Sequence, residues 1–285
     1  NTRSRGLGDV YKRQFLISKE TAVLINNLFM MFFLSVVLIG TVYPIFLEVI
    51  NNEKISIGPP FYHKLIIPFL IPFLFFMAIG PNIKWIKDKM VKINLKDIFI
   101  FIISIVISYI FVNKFGVSYL LSLPLFIFSL FLFFVTIRDF FGKNINISQK
   151  ISHFGFSLLI LSILLNGVLA KEHSSNMRVG DEIKFLDKKI QFQNIEVIKK
   201  QNYQTLIGKF NIVDENNSLS LKPEIRIYDQ PQTITSEADI SSTIFADNFL
   251  VFNIIKNDGF YNVRYQVKPF MIWIWISVLL ISLGG

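Results

Sequence analysis

Long apolar runs alternate with short polar breaks over the first 170 residues, and then the pattern changes. Runs at 22–47, 65–80, 97–112, 117–137 and 151–170 carry almost no charge. A helix rising 1.5 Å per residue needs about 20 residues to cross a hydrocarbon core of roughly 30 Å. The runs therefore predict five membrane-spanning helices. A sixth is predicted over 268–283, opened by Lys268-Pro269-Phe270 and carrying Trp273 and Trp275, which suit a membrane interface.

The spans contain local signals. Asn26 and Asn27 lie in the first, where amides avoid lipid, so they are expected to face the bundle interior. Gly40-Thr41-Val42-Tyr43-Pro44 reads as the end of that span. A loop with Gly58-Pro59-Pro60 follows and holds His63, read as a solvated loop residue. Pro68 and Pro72 predict a kink in the second span. Asn113-Lys114-Phe115-Gly116 reads as a tight turn joining the third and fourth.

Residues 171–267 switch to a period of two. Ile183–Leu186, Ile190–Phe192, Ile195–Ile198, Leu206–Val213, Glu224–Tyr228 and Phe249–Ile254 alternate apolar and polar positions. Asp214-Glu215-Asn216-Asn217, Lys222-Pro223 and Asn257-Asp258-Gly259 punctuate them. That pattern predicts short antiparallel strands and a small sandwich or barrel. The predicted fold class is a polytopic α-helical membrane protein of about six transmembrane helices with an inserted extracytoplasmic β-rich domain. The boundaries read as 15–170 for five helices, 171–267 for the β domain and 268–285 for a final helix. Residues 1–14 carry four basic side chains and no apolar face, and read as a scar outside the fold. The missing initiator Met and the Gly284-Gly285 end give both termini the look of cuts.

Composition sharpens this. The chain is 52% hydrophobic with 31 Phe, and has no Cys, which excludes disulfides and thiolate chemistry. The net charge of +9 does not point to nucleic acid, because Lys and Arg flank the apolar runs. The breaks at 81–96 and 138–150 carry five and three basic residues, against two at 48–64 and one at 113–116. By the positive-inside rule the first pair is cytoplasmic, and the β domain falls on the opposite side, which is the periplasm if the cell is Gram-negative.

The one candidate for chemistry inside a span is His153. A neutral imidazole in an apolar site is the usual protein ligand of haem iron. Gly155 leaves room near the backbone, Phe154 and Phe156 offer flat surfaces, and Ser157 and Ile160 share its helical face. The alternative is a buried histidine hydrogen-bonded to a neighbouring helix. Glu224, Arg226 and Tyr228 read as a solvated strand face, and Glu237 and Asp239 as surface loop. The chain has no phosphate loop, no HExxH and no Ser-His-Asp order, so no catalytic residue is assigned.

An ordered set of short stretches resembles a known family. It comprises Ser18-Lys19-Glu20 with Leu24 and Asn26-Asn27, Gly40–Pro44, Ser56–Phe61, Gly80-Pro81 and Ser152-His153-Phe154-Gly155. It continues through Pro223-Glu224, Arg226, Tyr228, Ser236-Glu237, Asp239-Ile240 and Lys268–Phe270 to Trp273-Ile274-Trp275 and Gly284-Gly285. From about residue 15 onward the chain resembles the C-terminal part of CcmF, the haem lyase subunit of cytochrome c maturation. The resemblance implies a subunit that accepts haem from the haem chaperone CcmE and promotes thioether bonds to apocytochrome c alongside other haem lyase subunits. It also implies a transmembrane haem b, reduced by electrons from quinol, with His153 as an axial ligand of the haem iron.

The family's tryptophan-rich haem-presenting segment is absent, since Trp85, Trp273 and Trp275 do not form it. The second transmembrane histidine is also absent, so the second ligand would come from outside this chain. His63 stands where relatives usually carry Asn and inherits no role. By this reading the chain alone is inactive in haem attachment. The alternative function is a non-catalytic membrane scaffold whose periplasmic domain binds an assembly partner. A transporter is a third reading, which the lack of internal repeats and of intramembrane charge does not favour.

Overall fold

A computed structural model describes residues 18–52, 54–83, 95–142, 146–214, 218–255 and 259–285. Residues 1–14, Trp85, Lys84, Lys87, Lys89, Lys92 and Lys143 lie outside the described residues. So do most of the turns expected at 214–217 and 257–259.

Among the described residues, five helices are long and apolar enough to cross a membrane. They are α1 (Lys19–Asn51), α2 (Pro59–Ile79), α3 (Leu95–Phe115), α4 (Tyr119–Phe140) and α5 (Ile147–Leu169). A sixth helix, α6 (Met271–Gly284), is apolar but only 14 residues long. At 1.5 Å per residue it reaches about 21 Å. Lys268 and Pro269, expected to open it, end a strand instead.

Local chemistry sets the helix ends. The Ser18 hydroxyl caps α1 by accepting the Thr21 N–H at 3.2 Å. Pro59 and Pro60 sit in the first turn of α2, where no intrahelical N–H is needed. His63 is therefore an exposed residue near the start of a helix, and not in a loop as expected. Pro44 does not end α1, which continues to Asn51. Proline is tolerated inside an apolar span when neighbours take up the freed backbone groups. Four residues earlier, Gly40 lies so close to Tyr62 of α2 that an added Cβ would meet the ring at 2.8 Å.

The chain divides into two compact units, one of residues 1–161 and 277–285 and the other of residues 162–276. In the first, buried Phe73, Leu74, Phe131, Leu132 and Val135 form apolar seams between helices. Phe73 meets Phe29, Phe33 and Phe156 edge-on at 5.6–5.9 Å.

The second unit is two antiparallel sheets around one core. One sheet has the order β1-β10-β9-β8, built from Lys171–Met177, Tyr261–Pro269, Ala246–Ile254 and Asp239–Ser242. The other has the order β2-β3-β4-β6-β7, built from Glu182–Phe185, Lys188–Lys199, Tyr203–Val213, Glu224–Tyr228 and Thr233–Glu237. The short β5 (Ser218–Leu221) also pairs with β4. The runs 190–192 and 195–198, expected as two strands, are one strand broken by a bulge between Phe192 and Asn194. Alternate residues point inward: Ile190, Phe192, Phe210 and Ile212 from one sheet, Leu250, Phe252, Val263 and Tyr265 from the other. Phe192 stacks on Phe210 at 4.3 Å, and Phe252 meets Phe210 edge-on at 5.7 Å.

Candidate functional site

In the helical unit, the start of α1, the end of α2 and the start of α5 converge on a cleft of about 200 Å³. Helix α1 contributes Lys19, Ala22, Val23 and Asn26, and α5 contributes Gln149 and His153. The end of α2 and the 3-10 turn Gly80–Asn82 that follows it supply Phe76, Met77, Gly80 and Pro81. Apolar side chains form the walls, and an amine, two amides and one imidazole supply the polar groups. His153 is half-buried, and its imidazole makes no hydrogen bond to another described residue. His153 also borders a small gap with Pro81, Thr136, Asp139, Gln149 and Lys150.

The turn of α5 after His153 is fixed by packing. Ser157 is buried and shares a hydrogen bond with Thr136 of α4 at 2.9 Å. Phe154 lies against Phe133 and Phe140 at 5.8 and 5.4 Å, and Phe156 against Phe73. The two rings are thus committed to helix contacts and do not line the cleft. Gly155 is also not open space. A Cβ there would come within 3.0 Å of Ser277 O, Leu280 Cβ and Ile281 N of α6. Small residues let helices approach closely in an apolar bundle. Asn26 faces the cleft, but Asn27 is exposed and not directed inward as expected.

Ionic groups gather where α3 begins and α4 ends. Arg138 pairs with Asp97, and its Nη2 donates to Asp139 Oδ1 at 2.7 Å. Lys150 donates to Phe140 O at 3.1 Å, occupying a carbonyl at the end of α4.

Imidazoles are sparse. His63 is exposed near the start of α2, and His173 stacks on Phe185 at 5.2 Å in the β unit. Among the described residues no group of three or more His, Cys, Asp or Glu could hold a metal ion. The cleft therefore offers one imidazole and, from Met77, one thioether. The sequence made His153 and Asn26 legible, but Lys19, Met77 and Gln149 join the site only through the convergence of three helices.

In the β unit, Glu224, Arg226 and Tyr228 form a structural cluster. Arg226 Nε donates to Glu224 Oε2 at 3.0 Å, its guanidinium lies 5.5 Å from the Tyr203 ring, and the carboxylate contact holds it firmly protonated. Asp239 accepts the Lys222 N–H at 2.6 Å, and Glu237 accepts from Thr235 at 3.0 Å. These acids order turns and strand edges.

Residues 168–269 match the family model described as CcmF C-terminal beta-sandwich. The chain is 26% identical over 286 residues to the cytochrome c-type biogenesis protein CcmF of Pseudomonas fluorescens, covering 95% of this chain and 43% of the relative. It is 26% identical over 280 residues to CcmF of Escherichia coli strain K12, again covering 95% and 43%. The chain thus spans less than half the length of the curated relatives it matches. A solved structure titled cytochrome c heme lyase CcmF shares the fold, with a TM-score of 0.71 at 18% identity over 96% of this chain and 46% of that one. The matched β-sandwich, the relatives along nearly the whole chain and the shared fold make this chain similar to the C-terminal part of CcmF proteins.

Proposed function

We propose that this chain is the part of a haem lyase subunit that contributes one axial ligand, His153, to a haem b in a bacterial inner membrane. The observation that carries this reading is the His153 imidazole, which faces the cleft with no hydrogen bond to another described residue. An ionisable side chain inside a span marks a functional site by default. The residues present fit half of a haem site. One imidazole and apolar walls are in place, and a second ligand would come from outside this chain. Haem bound there would supply one-electron chemistry. The residues of this chain hold an imidazole at the cleft and limit water through Val23, Phe76, Met77 and Pro81. Lys19, Asn26, Gly80, Pro81 and His153 all line the cleft, and all belong to the stretches that carry the family resemblance.

The assembly takes haem from the haem chaperone CcmE on the periplasmic side, joins it to apocytochrome c, and draws electrons from quinol. The β unit is the periplasmic domain. The test is a visible spectrum of the protein purified with its assembly partners and ample haem, with and without His153→Ala. A reduced b-type α-band that disappears in the variant is expected. An unchanged band reduces His153 to a packing residue, and the absence of haem from both proteins leaves a scaffold.

A further inference from the structure

The β8–β9 turn has unusual chemistry. Thr243 N donates to Ala246 O at 3.0 Å, and the Thr243 hydroxyl bonds both the Ala246 carbonyl and its N–H, at 2.7 and 3.1 Å. The two central residues of this tight turn are Ile244 and Phe245, 62% and 71% exposed. Turns in water favour Gly, Asn, Asp, Pro and Ser at such positions. The backbone of the turn is anchored: Ile244 O accepts the Trp273 indole N–H at 2.9 Å, and Phe245 O accepts the Phe270 N–H at 2.8 Å.

Those partners fix the level of the turn. Trp273 lies in the first turn of the uncharged helix α6. Pro269, just before it, accepts from Asn166 Nδ2 at 2.6 Å, and Asn166 lies in the last turn of α5, a candidate span. A second turn reaches the same end of the sheets. Between β2 and β3, Leu186 is 53% exposed at φ +54°, where Asn or Gly is usual. The next strand begins at Lys188, whose amine reaches Asn248, two residues beyond Ala246. Thus two turns beside the ends of apolar helices each present large hydrophobic side chains.

We infer that Leu186, Ile244 and Phe245, with Trp273 beside them, form a foot by which the β unit rests in the lipid bilayer, at the boundary between headgroups and acyl chains. Tryptophan favours that depth, and an apolar surface lying in the interface enters it by about 5–10 Å. The partner is lipid itself. This inference does not depend on haem binding.

The absence of cysteine makes the test direct. Leu186→Cys, Ile244→Cys and Phe245→Cys are each spin-labelled in the full chain, reconstituted in phosphatidylcholine–phosphatidylglycerol vesicles without partners. Val197→Cys is the control. It is 57% exposed and lies on β3 about 30 Å along the strand from Lys188 at 3.3 Å per residue. Labels at 186, 244 and 245 are expected to collide several-fold more with oxygen than with a water-soluble nickel chelate, and the label at 197 to show the reverse. Nickel-accessible labels at 244 and 245 overturn the inference. Labels there shielded from both reagents, the signature of protein contact, overturn it as well.

Discussion

Gly155 and Ser277 are in such close approach that a Cβ added to the glycine would lie 3.0 Å from the serine carbonyl oxygen. Helices α5 and α6 meet there without an intervening side chain. Gly155→Leu must therefore push α6 away, and overpacking of this kind costs about 1–3 kcal/mol. The expected result is a lower thermal midpoint in detergent. Gly167→Leu on the same helix, with nothing within 4 Å of its Cβ position, serves as the control that leaves the midpoint unchanged.

The same glycine shows where sequence reasoning stopped. Its lack of a side chain beside His153 suggested space for a ligand, yet the space belongs to a helix more than 100 residues later. The spans themselves were legible because long uncharged runs admit few alternatives. Strands β3, β4, β6 and β9 were legible because apolar residues alternate in them. Strand β1 (Lys-Glu-His-Ser-Ser-Asn-Met) was not, since it is an edge strand that sends only Met177 into the core. Strand β10 was hidden because Lys268-Pro269 resembles a helix start.

The hydroxyls of Thr136 and Ser157 make three contacts with two protons. Thr136 is within reach of Phe133 O at 2.8 Å, Ser157 of Phe154 O at 2.9 Å, and the two meet each other at 2.9 Å. Each hydroxyl has one proton to donate, so at most two of the three bonds exist at once. A double-mutant cycle with Thr136→Val and Ser157→Ala is expected to give a coupling of about 0.6 kcal/mol, typical between membrane helices. Stability to detergent-induced unfolding measures it, and a coupling of zero would mean that each hydroxyl serves only its own helix.

Alkaline pH is expected to weaken the β unit through Tyr265. Its side chain is buried, its hydroxyl donates to Asn248 Oδ1 at 2.6 Å, and burial followed by the nearby Asp214 charge pushes the phenol up to about 12. The ordinary value is about 10. A folded-state value above the unfolded one gives stability that is complete below about pH 10 and lost as pH rises toward 12. The span corresponds to about 3 kcal/mol at its limit. Thermal unfolding of the full chain between pH 8 and 12 measures the loss. Tyr265→Phe should be less stable at pH 8 but flatter across that range, and a parallel slope would place the titration elsewhere.

Asn166 is expected to govern the switch from strand to helix at Pro269. The strand is followed by Phe270 at φ +61°, a conformation costly for a bulky residue, and Pro269 O takes the Asn166 amide at 2.6 Å. Losing one hydrogen bond of this kind costs about 0.5–1.5 kcal/mol. Asn166→Leu should therefore speed hydrogen exchange at the Phe270 and Trp273 amides, which bond to Phe245 O and Phe270 O. Exchange at the core strand β4 should not change. Equal acceleration in both places would indicate global destabilisation.

His153 separates structure from ligation. The positions around it carry the packing: Gly155 against α6, Ser157 against α4, and Phe154 and Phe156 against neighbouring rings. The imidazole itself borders the cleft and holds no other described residue by a hydrogen bond. In haem-free protein His153→Ala should shift stability by no more than about 0.5 kcal/mol, as for positions outside the core. With haem supplied, the wild-type midpoint should rise by mass action, and the variant's should not. Ser157→Ala should do the opposite, lowering both midpoints while preserving the haem-dependent rise. If His153→Ala destabilised the haem-free protein as much as Ser157→Ala does, the imidazole would be a structural residue and the ligand assignment would fall.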